Sequence, residues 1–407
     1  MIDRIKKYKE QTFSSLKVRN YRLYFIGQAI SLCGTWMQTI AQSWLVLKIT
    51  GSGSALGFVI ALQFLPILFF APWAGVIIDR VPKRKILYYT QIASGLLALA
   101  LGVLVLTGVV KLWMVDLLAL LLGFINAFDN PARNTFVLEM VSEEKLANAV
   151  SLNSTQMNLA RVVGPAIGGT LIATVGIALC FIINALSYIA VLVALMMIRQ
   201  NELYTTPPSP RVKGQLKEGF SYIWANAELR NALFMMAIIG TLSYEFIVSL
   251  PLFAQFTFHG DAKSYAAMNV AMGGGSVIGG LMIASRKKIE FSLLVRAALL
   301  FGASMLIASI APTLTLALVA LVFVGFFSIN FLSLSNITLQ LKSAPEMRGR
   351  VMALWSVAFL GTTPIGAPII GLVGEYVGGR AGLAIGGLAA LIAATIYITT
   401  INHYRLE

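Results

Sequence analysis

Apolar runs of about twenty residues or more, separated by short polar joints, fill almost the whole of this 407-residue chain. They fall at 21–47, 54–78, 86–107, 112–133, 146–173, 176–198, 230–257, 264–285, 291–310, 313–341, 350–376 and 381–401. An α-helix rises 1.5 Å per residue, so roughly twenty such residues cross the hydrocarbon core of a bilayer. Twelve runs therefore predict twelve membrane-spanning helices, with both chain ends on one side. One polar interruption alone is long. Residues 199–229 hold the TTPPSPR segment at 205–211 and a stretch at 217–224 with the pattern of an amphipathic helix, and they part the runs six and six. The expected organisation is a tail (1–20), a six-helix bundle (21–198), a linker (199–229), a second six-helix bundle (230–401) and a short tail (402–407): an all-α membrane protein.

Composition and charge sharpen this picture. With 58% hydrophobic and 12% charged residues, the chain has too little polar surface to cover a soluble globule. The 31 Lys and Arg are distributed by side. Lys48, Lys111, Lys263 and Arg380 fall on one face of the bilayer, Arg161 and Arg296 inside spans, and the rest on the other face. Basic residues collect on the cytoplasmic side, so both ends are expected there. The first 20 residues carry Arg4, Lys6, Lys7, Lys9, Lys17 and Arg19 without an apolar core, which reads as a cytoplasmic tail and not a signal peptide. The net charge of +14 is thus mostly topological, and no nucleic-acid partner is expected. Cys33 and Cys180 lie apart inside apolar runs, and His259 and His403 are isolated, so neither a disulfide framework, a metal site nor a cofactor is expected. A membrane-embedded enzyme would need a catalytic triad, a metal cluster or a nucleotide loop, and the sequence offers none; it contains no GxxxxGK.

The halves resemble each other. Sliding the chain by 202 residues sets Gly164 on Gly366, Gly169 on Gly371 and Gly176 on Gly378, and a similar slide sets Lys83 and Arg84 on Lys287 and Lys288. Parallel six-span repeats belong to transporters that bind cargo between the two halves.

The joint between spans 2 and 3, GVIIDRVPKRK at 75–85, carries a further likeness. Gly75, Asp79, Arg80, Lys83 and Arg84 match the loop pattern of the major facilitator superfamily, with Pro82 where that pattern usually has Gly. In span 5, Gly164, Pro165, Gly168 and Gly169 are similar to the motif of the superfamily's drug and proton antiporters. The stretches NYRLYFIGQAISLCGTWMQTIAQSWLV, DNPARNTFVLEMV, LANAVSLNSTQMNLARVVGPAIGG and RGRVMALW resemble the bacterial exporters related to the enterobactin exporter and macrolide efflux proteins. Span 4 departs from the superfamily in lacking its frequent membrane-embedded arginine and in carrying Asp129 and Asn130 near its inner end. The resemblance implies two pseudo-symmetric six-helix bundles in a bacterial inner membrane. It also implies alternating access by a monomer, and export of amphipathic or aromatic small molecules in exchange for protons. A lysophospholipid or lipid transporter of the same fold and a proton-independent uniporter are the rival readings.

Particular residues carry particular expectations. Asp79 is placed to face the start of span 11, where helix amides favour an anion. Arg80 or Arg84 is placed to pair with Asp129, roughly 26 Å down span 4, and together these form an inner latch unless the charges only fix topology. Gly164, Gly168 and Gly169 permit close helix contact and Pro165 bends its span, which the resemblance reads as an outer seal and simple packing also explains. Glu245 sits among apolar or small residues in span 7, where a carboxylate is costly; it is expected either to carry the coupling proton or to hold a neighbouring helix by a hydrogen bond. Arg161 lies deep in span 5 on a face with Ser151, Ser154 and Asn158. It suits an anionic group of the cargo, a nearby acid, or backbone carbonyls. Gln28, Ser31, Thr35, Gln38 and Gln42 in span 1, and Asn330, Ser333, Asn336 and Gln340 in span 10, recur at steps of three and four. Such faces must meet other helices or water, and the resemblance places them beside the central cavity. Trp36, Met37, Trp44, Phe64, Phe253 and Phe256 offer apolar contacts for cargo, or ordinary packing and interfacial belts.

Overall fold

The computed structural model describes residues 13–204, 215–284, 286, 291–344 and 346–404. It is 89% helix, with no strand among the described residues. Two short 3₁₀ turns, Ser14–Lys17 and Gln200–Glu202, accompany the α-helices of the first half: α1 (Arg19–Thr50), α2 (Gly53–Arg80), α3 (Lys83–Leu106), α4 (Leu112–Glu139), α5 (Glu143–Thr174) and α6 (Ile177–Met197). The amphipathic stretch of the linker forms α7 (Gln215–Ala225). The second half contains α8 (Ala227–Ser243), α9 (Phe246–Leu252), α10 (Ala262–Ala284), α11 (Phe291–Ser309), α12 (Leu314–Lys342), α13 (Arg348–Leu360), α14 (Thr363–Tyr376) and α15 (Ala381–Tyr404). The surroundings of Gly75 and the side chain of Asp79, the TTPPSPR segment and the outermost parts of both tails lie outside what the structure describes.

Each of the twelve apolar runs becomes helix. Ten of the helical stretches among the described residues are long and apolar enough to cross a membrane. The two that fall short are α1 and α5, the ones carrying the long polar rows of spans 1 and 5. Two spans are interrupted, which their apolarity did not announce. Span 7 breaks between α8 and α9 at Tyr244–Glu245 and then loosens into a π-helical turn at Phe253–Thr257. Span 11 breaks between α13 and α14 at Gly361–Thr362, ahead of Pro364. Broken helices free backbone groups from the i→i−4 ladder, and a membrane tolerates that only where protein or water satisfies them.

The chain forms two compact units, one of residues 1–41 and 69–210 and the other of residues 42–68 and 211–407. In the first unit Tyr21, Tyr24, Leu87, Phe136, Val137, Val191 and Leu195 make a core that draws on α1, α3, α4 and α6. In the second unit α10 and α12 meet backbone to backbone, since a methyl group on Gly275 would overlap the Val322 carbonyl and one on Gly325 the Met272 carbonyl. Water-driven burial does not hold helices together in lipid, so such small-residue contacts supply the packing that does. Asp261 starts α10, accepting from the Ser264 N–H (3.0 Å). That bond holds its carboxyl below the usual carboxylate range.

Candidate functional site

The first unit buries a charged cluster. Asp129 Oδ2 accepts from Arg133 Nη2, one turn further along α4, and from its Nε (3.2 Å). Thr90 Oγ1 (2.7 Å) and Gln91 Nε2 (2.8 Å) on α3 donate to Oδ1. Tyr24 and Tyr188 stand close enough to feel both charges. The expected pairing of Asp129 with Arg80 or Arg84 is therefore not formed. Arg80 is exposed, and Arg84 lies over the Tyr88 ring (5.5 Å) and donates to the Met196 carbonyl (3.3 Å). The i,i+4 spacing puts Arg133 within reach of Asp129 without moving a helix, and α3 supplies the remaining donors. Lys83 instead pairs with Glu139 at the end of α4 (2.8 Å).

The GPxxGG stretch lays α5 against α1. A methyl group on Gly164 would stand 2.6 Å from Trp36 Cβ and 2.7 Å from the Cys33 carbonyl, and one on Gly168 would stand 3.2 Å from Met37. Gly169 and Pro165 are buried in the same helix. This approach brings Arg161, one turn earlier, under Trp36, with the guanidinium carbon 5.0 Å from the ring centroid. Both side chains are half-buried, as is Asn158, while Ser151 and Ser154 are exposed. Gly164→Ala is expected to cost about 1–3 kcal/mol by forcing α5 off α1. Thermal unfolding of the purified variant checks this, and a melting temperature equal to the parent's would show that the contact yields freely.

The polar faces of spans 1 and 10 divide. Gln28, Ser31 and Gln38 are buried inside the first unit and not on an open face. Gln38 Oε1 accepts from Asn184 Nδ2 of α6 (2.6 Å), and Gln28 lies against Tyr24. Thr35 stays exposed with its hydroxyl donating to the Ser31 carbonyl. On α12, Asn330 is buried and donates to the Phe326 carbonyl, whereas Gln340 is exposed and donates to Asn336 Oδ1 (2.6 Å). Helical spacing brought these residues onto common faces and gave Thr35, Asn330 and Gln340 partners one turn away, whereas the partner of Gln38 lies 146 positions off.

In the second unit the two helix breaks meet at Glu245. Its own carbonyl accepts from Val248 N–H (3.1 Å) and Ser249 N–H (2.8 Å), which starts α9. The carboxyl is 4% exposed, with Thr363 at the start of α14 close enough to interact, and Oε1 has no hydrogen-bond partner. A methyl group on Gly366 would stand 2.9 Å from that oxygen and overlap the Thr241 carbonyl, so only glycine lets α14 come this near. Beside the break, Tyr244 is packed by Phe359 (5.2 Å), Phe301 (5.4 Å) and Phe246 (6.1 Å), and its hydroxyl donates to the Ser328 carbonyl (2.7 Å). The start of a helix favours a carboxylate while apolar burial opposes one.

A second acid closes the far end of α14. Glu375 Oε2 accepts from Ser52 Oγ (2.6 Å) and Ser54 N–H (2.8 Å), at the joint of α1 and α2. Below this cap a methyl group on Gly53 would stand 2.5 Å from the Gly371 carbonyl, and one on Gly57 would overlap the Ala367 carbonyl. The joint is thus seamed to α14 along two turns.

Comparisons with known proteins agree with this architecture. Residues 10–403 match the family described as transmembrane secretion effector. Macrolide efflux protein A of Streptococcus pyogenes is 24% identical over 404 residues, covering 96% of this chain and 98% of that protein. The staphyloferrin A transporter of Staphylococcus aureus is 22% identical, covering 95% and 97%. The multidrug efflux pump Tap of Mycolicibacterium fortuitum is 26% identical, covering 85% and 87%. Among solved structures, the nucleoside transporter NupG superposes with a TM-score of 0.73 at 14% identity over 94% of this chain and 99% of that one. A bacterial homolog of the human lysosomal transporter Spinster, inward-facing and occupied, gives 0.73 at 14% over 95% and 97%. With a family match that runs over nearly its whole length and relatives that are transporters, the chain belongs to the transmembrane secretion effector family of the major facilitator superfamily, and it is a membrane transporter, not an enzyme.

Proposed function

We propose that this transporter exports amphipathic or aromatic small molecules of drug or siderophore type from a bacterial cell by alternating access, in exchange for protons, as a monomer with both termini in the cytoplasm. The observation that carries the proton part is Glu245, a buried carboxyl held where two spans are broken. Relatives named for macrolide efflux, staphyloferrin A transport and multidrug efflux support the export part. Arg161 over Trp36 gives the first unit a cationic, aromatic contact for cargo. Asp79 remains the proposed inner anion, and the Gly53–Glu375 seam is its counterpart at the outer surface.

Reconstituted protein under an imposed pH gradient, offered macrolides, carboxylate siderophores and lysophospholipids, tests this reading. Uptake into inverted vesicles that follows the gradient for the first two classes supports it. Transport confined to lysophospholipid, or indifferent to the gradient, overturns it. The seam makes its own prediction. Glu375→Gln is expected to speed labelling of a Ser54→Cys variant by a membrane-impermeant maleimide about tenfold, a loss of roughly 1.4 kcal/mol of closure. Equal labelling rates would remove Glu375 from the gate.

A further inference from the structure

We propose that α7 is an interfacial helix, seated at the headgroup boundary of the inner leaflet, and that it ties the start of α13 to that boundary. The helix has two unlike faces. Gly219 and Ile223 point inward: a methyl group on Gly219 would stand 2.9 Å from Arg350 Cβ, and Ile223 is buried. Phe220 and Trp224, each one position further on, point outward at 50% and 49% exposure. Their rings are stacked, with centroids 5.1 Å apart. Trp224 in turn meets Phe234 edge-on (5.6 Å).

Phe234 decides what covers this face. It projects, 49% exposed, from α8, which belongs to a stretch long and apolar enough to cross a membrane. An aromatic side chain on the outside of such a helix meets lipid. The three rings form one ladder, so the surface that meets lipid on α8 continues without a gap onto α7. Trp at the end of an apolar span, on a short helix with one face packed on protein and one aromatic face, is the pattern of a helix lying in the interface plane.

The inward face holds the start of span 11. Glu218 pairs with Arg350 in the first turn of α13 (2.5 Å), and Tyr222 Oη accepts from the Ala344 N–H just before it (3.0 Å). Glu228 at the start of α8 pairs with Lys342 at the end of α12 (2.8 Å). The far side of the helix is therefore fastened to the α12–α13 joint. Bilayer composition at the inner surface then bears directly on where span 11 begins. The choice of leaflet rests on the proposed cytoplasmic placement of the linker; the contact with lipid does not.

The test uses the full chain with Trp36, Trp44, Trp73, Trp113 and Trp355 replaced by Phe, in phosphatidylcholine vesicles brominated at acyl positions 6,7 or 11,12. Trp224 emission is expected to fall at least twofold in the 6,7-brominated lipid and less in the 11,12-brominated lipid. Emission unchanged by either lipid, and quenched by aqueous acrylamide, overturns the contact. Should the five replacements prevent folding, a nitroxide at Phe220→Cys in a Cys33→Ala, Cys180→Ala chain gives the same answer. Collision with oxygen exceeding collision with a nickel chelate supports it, and the reverse order overturns it. For the tie, Phe220→Ser with Trp224→Ser is expected to speed amide exchange in the first turn of α13 about tenfold, and unchanged exchange overturns it. None of these readouts involves cargo, so they fail or succeed apart from the export reading.

Discussion

Glu245→Gln abolishes transport driven by a pH gradient, lowering its rate about tenfold or more, while the protein still folds and still exchanges cargo across equal pH. The amide keeps the shape of the carboxyl and its contact with Thr363, so packing between α8, α9 and α14 is preserved. What it loses is the ability to take up and release a proton. A carboxyl buried with one oxygen unpartnered costs stability in its charged form. Gradient-driven uptake and counterflow, measured in the same vesicles, separate the two possibilities. If both survive, Glu245 is a structural strut; if both vanish with the fold intact, it contacts cargo and does not carry the proton.

Asp129→Asn destabilises the first unit by up to about 3 kcal/mol, the cost of leaving a partly buried cation without its counter-charge. Four donor atoms from Thr90, Gln91 and Arg133 converge on that carboxylate, and an amide would turn donors toward donors. Replacing the pair together, Asp129→Leu with Arg133→Met, recovers most of the loss, because no uncompensated charge remains. Unfolding of the three proteins in lipid nanodiscs checks this. Equal melting of the single and double variants would mean that the cluster holds its helices by shape alone.

The spans were legible in the sequence because crossing a bilayer is a matter of length and apolarity, both of which add up locally. The interruptions were less so. Span 11 announces its break in Gly361, Thr362, Thr363 and Pro364, yet these sit inside an unbroken apolar run. Span 7 breaks at Tyr244 and Glu245 with neither glycine nor proline at the break itself, and there the chain packs against Gly366 and Ser328. Arg133 was available as the partner of Asp129 from its four-residue spacing alone, and the more conspicuous basic joint at 80–85 obscured it. Gln38 shows the remaining gap. Its partner Asn184 is 146 positions away, and helical spacing sets a side chain's azimuth without naming its neighbour.

The seam between Gly53, Gly57, Ala367 and Gly371 inverts a familiar experiment. Where main chain touches main chain there is no side chain to trim, so truncation scanning has nothing to remove and the usual replacement adds bulk instead. Systematic substitution by alanine will report these glycines as the least tolerant positions of the joint, and the loss of stability there should scale with the volume inserted, not with the polarity lost.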